Sequence, residues 1–166
     1  EAQELKAAGV DVAIGYFEPH GRKETIAKIE GLELIPRRRV GYRVSTFEEM
    51  DTAAILARHP QLCVVDEFPH TNVPGSERLK RWEDVEVLLD HGIDVLTTMN
   101  IQHLESLNDQ VWQISGVRVR ETVPDWVVQQ ADEVVMVDLT PRALLHRLTR
   151  GVVYERAKAE LALQNF

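Results

Sequence analysis

The sequence predicts an α/β fold of three layers, with a mostly parallel sheet between helices. Two observations carry this. LCVV (62–65) and VVMV (134–137) are continuous apolar runs, the pattern of strands buried on both faces. Segments of helical periodicity lie between such runs, so strands and helices alternate along the chain.

EAQELKAAG (1–9) reads as the last turns of a helix, stopped by Gly9. No capping residue opens it, so the helix is expected to begin upstream. VDVAIGYF (10–17) is a strand candidate. GRKETIAKIEG (21–31) is a short helix closed by Gly31. The basic run Arg37 to Arg39 leads into an extended piece, Val40 to Val44. In STFEEMDTAAILARHP (45–60), Ser45 and Glu48 have capping-box spacing, which predicts a helix starting there, with Phe47, Met50, Ile55 and Leu56 on one face. LCVVDE is the next strand. RLKRWEDVEVLLDH (78–91) is a helix with Trp82, Val85, Leu88 and Leu89 at helical spacing.

IDVLTTMNI (93–101) is a strand. QHLESLNDQVWQISG (102–116) is a helix with Leu104, Leu107, Val111 and Ile114 on one stripe, ended by Gly116. VRVRETV (117–123) alternates apolar and polar residues, which suits an edge strand. Pro124 starts a short helix to about Ala131. EVVMVD (133–138) is a strand, and Thr140-Pro141 opens a last helix.

The 166 residues, 44% hydrophobic and 28% charged, suit one soluble domain with a sizeable core. A net charge of −8 disfavours general nucleic-acid binding and anionic membrane surfaces. Cys63 is the only cysteine, which precludes an internal disulfide and fits a reducing, cytoplasmic compartment. No apolar run is long enough to span a bilayer.

In an open parallel sheet, ligands bind beyond the carboxyl ends of the strands. The polar residues expected on that rim are Glu18, Asp66, Glu67, Thr97, Thr98, Asn100 and Asp138. The Asp66-Glu67 pair after an apolar strand is the strongest single element. It has the Walker B pattern of P-loop nucleotide-binding proteins, in which the Asp holds Mg²⁺ and the next acid lies toward the γ-phosphate. The partner motif G-x-x-x-x-G-K-[ST] is absent from residues 1–166. Six histidines include His20, His70 and His103 after strand ends, but no zinc-ligand motif joins them. Arg81 reads as a solvated helix residue beside Trp82.

GYFEPHGRKET (15–25), VDEFPHTNVPGS (65–76), KRWEDVEVLL (80–89), HGIDVLTTMNIQHLESLND (91–109), GVRVRETVPD (116–125), VVMVDLTPRALLHRL (134–148) and GVVY (151–154) together resemble the N-terminal cytoplasmic domain of KdpD-type osmosensitive potassium sensor histidine kinases. The resemblance spans nearly the whole chain. It departs at Glu77, Arg78 and Leu79, where the family has Arg-His before Lys-Arg-Trp, and at Phe68-Pro69, where Leu-Ala is usual.

The resemblance implies a P-loop NTPase-like domain lacking its first strand and P-loop, which family members carry just upstream. It implies a nucleotide-sensing domain over 1–154 and a helical tail, 155–166, leading on. It implies ATP and Mg²⁺ as regulatory ligands of the intact domain, with weak binding by residues 1–166 alone. Asp66 would hold the metal, Glu67 would face the γ-phosphate, His70 or Asn100 would sense the phosphate state, and Glu18 and Asp138 would line the site. No catalytic residue is expected in this segment. The parent would be anchored in the membrane with this domain on the cytoplasmic side. Its partners would be the rest of the kinase and, through it, the cognate response regulator. A small P-loop phosphotransferase or ATPase, and a ligand-free interaction module, are the rival readings.

Overall fold

The computed structural model describes residues 1–150. The described residues pack as two units, one of residues 1–18 and 28–131, the other of residues 19–27 and 132–150. The expected tail, 155–166, lies outside the described residues.

The first unit is built on a four-stranded parallel sheet. Helix α1 (Ala2–Ala7) turns at Gly9 into β1 (Val12–Tyr16), the most deeply buried strand. On one side β1 pairs with β2 (Glu33–Leu34). After this come β3 (Arg38–Tyr42) and β4 (Ser45–Glu49), then α3 (Thr52–Arg58) and β5 (Leu62–Val65), which pairs with the other side of β1. Helix α4 (Arg81–Asp90) leads to β6 (Asp94–Thr97) at the outer edge of β5, so the spatial order is β2-β1-β5-β6. Helices flank this sheet, as the α/β reading required.

The apolar runs form the core: Ala13, Ile14, Cys63 and Val65 are buried, with Ile55 of α3 and Leu88 of α4 against them. Each such side chain stabilises by about 1.5–3 kcal/mol relative to exposure. Burial also pushes the Cys63 thiol up to about 11, so it acts as a small hydrophobe. Gly15 is required by close approach. A Cβ there would lie 2.6 Å from Ile55 Cδ1 and 2.7 Å from Cys63 Sγ.

Several expectations are corrected. The Ser45–Glu48 stretch opens no helix. It is β4 in an antiparallel hairpin with β3, pairing Val40 with Phe47 and Arg39 with Glu48. Cross-strand pairs of this kind favour a sheet over a first helical turn. The helix starts six residues later, where the Asp51 side chain accepts the Ala54 amide at 3.0 Å. Phe47 is accordingly exposed, whereas Met50 and Ile55 are buried.

The 102–116 helix is also shorter than expected. Two 3-10 turns, Ile101–His103 and Glu105–Leu107, precede α5 (Asn108–Ser115). Val123 N donates to His103 O and Glu105 N donates to Val123 O, which holds Leu104 extended and interrupts the helix. No residue of α5 is buried, and Ile114 is 87% exposed. VRVRETV forms no strand; only Val123 bridges to Leu104. Pro124 precedes α6 (Asp125–Gln129), whose Trp126 meets Trp82 edge-on at 5.7 Å.

The second unit contains α2 (Lys23–Ala27) and α7 (Pro141–Thr149). EVVMVD forms no strand there, and Val134 to Val137 are each at least 66% exposed. A strand needs a paired neighbour, and among the described residues this run has none.

Candidate functional site

The register of the sheet sets Tyr16 opposite Val65 and Val65 opposite Thr97. The carboxyl ends of β1, β5 and β6 therefore finish side by side, and the residues just beyond them meet. Asp66 is the centre of this meeting. One carboxylate oxygen accepts the Glu18 amide at 3.1 Å, and the other accepts the Thr98 hydroxyl. Backbone bonds complete the tip: Asp66 N donates to Tyr16 O at 3.0 Å, and Phe68 N to Thr98 O at 3.2 Å. Arg37 stacks on the Tyr16 ring, donates to Phe17 O, and pairs with the Glu18 carboxylate at 3.3 Å.

A half-buried carboxylate at the end of a buried strand is thus tolerated by two neutral donors. No ion pair holds Asp66 among the described residues. Each carboxylate oxygen has two acceptor positions, so both retain one after these bonds. One carboxylate with free acceptor positions, completed by waters and phosphate oxygens, is how Mg²⁺ is commonly held. Asp66 fits that donor role. Among the described residues no three His, Cys, Asp or Glu side chains converge into a protein-only metal site.

Glu67 adopts the left-handed conformation, with φ of 56°. A non-glycine residue there costs about 1 kcal/mol. Such strain persists only where the surroundings over-determine it. The surroundings here include Arg81, which the expectation of a solvated residue misplaced. Arg81 is 0% exposed. Its guanidinium stacks 3.6 Å from the Tyr16 ring centroid, and Nη1 donates to the main-chain oxygens of Asp66 at 3.2 Å and Glu67 at 3.4 Å. Nη2 pairs with Glu49, itself buried, at 3.3 Å. Glu49 also accepts His70 Nε2 at 3.1 Å and the Val73 amide at 2.9 Å. Burial pushes the Glu49 carboxyl up, but His70, the Val73 amide and Arg81 outweigh it and hold it below the usual range.

The other expected residues make no hydrogen bond to Asp66 among the described residues. His70 faces Glu49, with Glu121 at 3.9 Å on its other ring nitrogen. Asn100 is exposed, just ahead of the first 3-10 turn. Asp138 is exposed in the second unit, on the run that forms no strand. The structure brings together Glu18, Asp66 and Thr98, with Glu67 next in the chain.

A family model described as KdpD, the osmosensitive K⁺ channel His kinase sensor domain, matches residues 1–166. The chain belongs to the KdpD sensor-domain family. Among curated KdpD relatives, it is 57% identical to one from Synechocystis sp., over the whole of this chain and 45% of that protein. It is 52% identical to the sensor protein KdpD of Escherichia coli, and 49% to that of Mycobacterium tuberculosis H37Rv. Each of those alignments covers all of this chain and 19% of the relative. The chain therefore spans less than half the length of these KdpD proteins. No helix among the described residues is long and apolar enough to cross a membrane.

One signal in this KdpD domain could have exposed Arg81. The buried positions of α4 are Arg81, Asp84, Val85 and Leu88, spaced i, i+3, i+4, i+7. Extending the stripe back from Leu88 and Val85 lands on two opposite charges. Both are buried because both are bonded: Asp84 takes Thr52, Asn72 and Arg78.

Proposed function

We propose that this domain senses Mg²⁺-bound ATP for a membrane-anchored sensor histidine kinase of a two-component system that answers potassium or osmotic stress. The domain sits on the cytoplasmic side and biases the kinase-to-phosphatase balance of a distant catalytic core, which passes phosphate to a response regulator. The single observation that supports the nucleotide part is the state of Asp66. Its carboxylate is oriented by the Glu18 amide and the Thr98 hydroxyl at the joint end of three parallel strands, and it keeps acceptor positions open.

Bound Mg²⁺·ATP would supply the charge that marks the triphosphate state. The residues of this chain do the rest. Asp66 binds water or metal on its open acceptor positions. Thr98 fixes the carboxylate rotamer. Glu67, next in the chain on a left-handed backbone, would face the γ-phosphate side. Family resemblance implies a P-loop upstream, and among the described residues the outer edge of β6 pairs with no strand.

Calorimetry on the domain extended upstream to include that loop tests the reading. ATP binding in Mg²⁺ should weaken about tenfold or more in Asp66→Asn, since the neutral amide loses the anionic oxygen that holds the metal or accepts from its water. Equal affinity in the two proteins would remove Asp66 from the site. In the intact kinase, ATP hydrolysis by this domain with no change in the kinase-to-phosphatase ratio would favour an enzyme over a sensor.

A further inference from the structure

We infer that Arg81 is the positioning residue of the nucleotide site: a buried guanidinium that fixes the strained main chain at Asp66 and Glu67 and is itself held by Glu49. The inference rests on the proposed nucleotide reading for its consequence, but not for its geometry. Three features of that geometry converge. First, Arg81 is wholly buried at the start of α4, where an arginine without a task would be expected to reach solvent. Second, its partners on the tip are main-chain oxygens, at 3.2 Å and 3.4 Å, so it controls where the strand end lies rather than neutralising the Asp66 side chain. Third, its remaining contacts clamp it from both sides. The Tyr16 ring lies 3.6 Å from the guanidinium carbon, and Glu49 lies 3.3 Å from Nη2.

The parts joined are distant in sequence. Glu49 ends β4, Tyr16 ends β1, Arg81 opens α4, and Asp66 follows β5. Glu49 also holds His70, four residues beyond Asp66, and His70 O accepts the Arg81 amide at 3.0 Å. The loop from Asp66 to His70 is thus gripped at its start by the Arg81 side chain and at its end by Glu49 and the Arg81 main chain. Arginine is needed because a planar fork can stack and donate in two directions at once. Lysine offers one point charge on a flexible stem.

Hydrogen exchange on the intact parent kinase, read by mass spectrometry over residues 61–76, tests this. The reporters are the bonded amides of Asp66, Phe68 and His70. Without nucleotide, Arg81→Lys should speed their exchange about tenfold while the β1 amides keep their protection, as expected for a local opening. Unchanged exchange at the tip, or equal loosening of β1 and the tip, would overturn the positioning role. If Arg81→Lys does not accumulate folded, Glu49→Gln serves: it keeps the shape, removes the clamp's charge, and should loosen the same three amides about threefold. No loosening in Glu49→Gln would equally overturn it.

With ATP and Mg²⁺ added, the wild-type tip should gain protection, and Arg81→Lys should need about tenfold more nucleotide for the same gain, the equivalent of about 1.4 kcal/mol. The same nucleotide requirement in both proteins would confine Arg81 to a structural role. A wild-type tip indifferent to ATP and Mg²⁺ would sink the nucleotide reading alone. The nucleotide-free exchange would then decide the role of Arg81 by itself.

Discussion

At Gly15 the missing side chain is what lets β1 lie against Ile55 and Cys63. Gly15→Ala puts a methyl within 2.7 Å of two buried groups that have nowhere to go. It should destabilise the domain by about 1–3 kcal/mol, measured by urea unfolding, unlike Gly41→Ala, where nothing lies within 4 Å and the backbone is not left-handed. Glu49 makes the second residue-scale prediction. Its folded-state carboxyl titrates below the usual value of 4.5, so it contributes stability that is present above about pH 4.5 and lost as pH falls through the lowered folded value. Glu49→Gln should therefore cost about 1 kcal/mol at pH 7, because its amide oxygen can still accept from Arg81 and only the charge is lost. The gap to wild type should close in unfolding curves taken progressively below pH 4.5. A gap that stays constant with pH would show that the charge of Glu49 does not matter. Neither residue stands out in the sequence, since what makes each matter is a contact with residues distant along the chain.

At the scale of elements, legibility followed from how many patterns a segment satisfies. LCVV and DVAIGY carry one message, an apolar run of strand length, and both are strands of the sheet. STFEEMD carries two. S-x-x-E is a capping box, and the same residues pair antiparallel with β3. The hairpin wins because Arg38 to Tyr42 is there to pair with it, a fact that no local window contains. Asp51 is then the cap. Asp51→Ala should destabilise α3 by about 1 kcal/mol, read by unfolding, while Ser45→Ala should change stability by only a few tenths. A larger loss at Ser45 than at Asp51 would contradict this assignment. VVMV shows the converse failure. Its pattern is a strand, but among the described residues it has no partner, and its side chains are exposed.

For the molecule as a whole, topology did the work that motif spacing could not. Asp66 and Thr98 are 32 positions apart in sequence, and Glu18 and Asp66 are 48 apart. Parallel pairing of β1, β5 and β6 brings them together, and the rule that ligands sit beyond strand carboxyl ends was enough to anticipate that part. It did not anticipate that Asn100 would be exposed ahead of a 3-10 turn, where β6 already ends at Thr97, or that Asp138 would be exposed on a run that forms no strand. It also missed Arg81, since a buried charge is invisible until its partners are known. The central claim is that the joint end of the three strands holds a divalent cation with its nucleotide. Paramagnetic broadening by Mn²⁺ in the amide NMR spectrum of the upstream-extended domain, with ATP present, tests it most directly. The amides of Glu18, Asp66, Glu67 and Thr98 should broaden first and recover when excess Mg²⁺ is added. Broadening centred on any other part of the domain, or none at these four amides, would contradict the account.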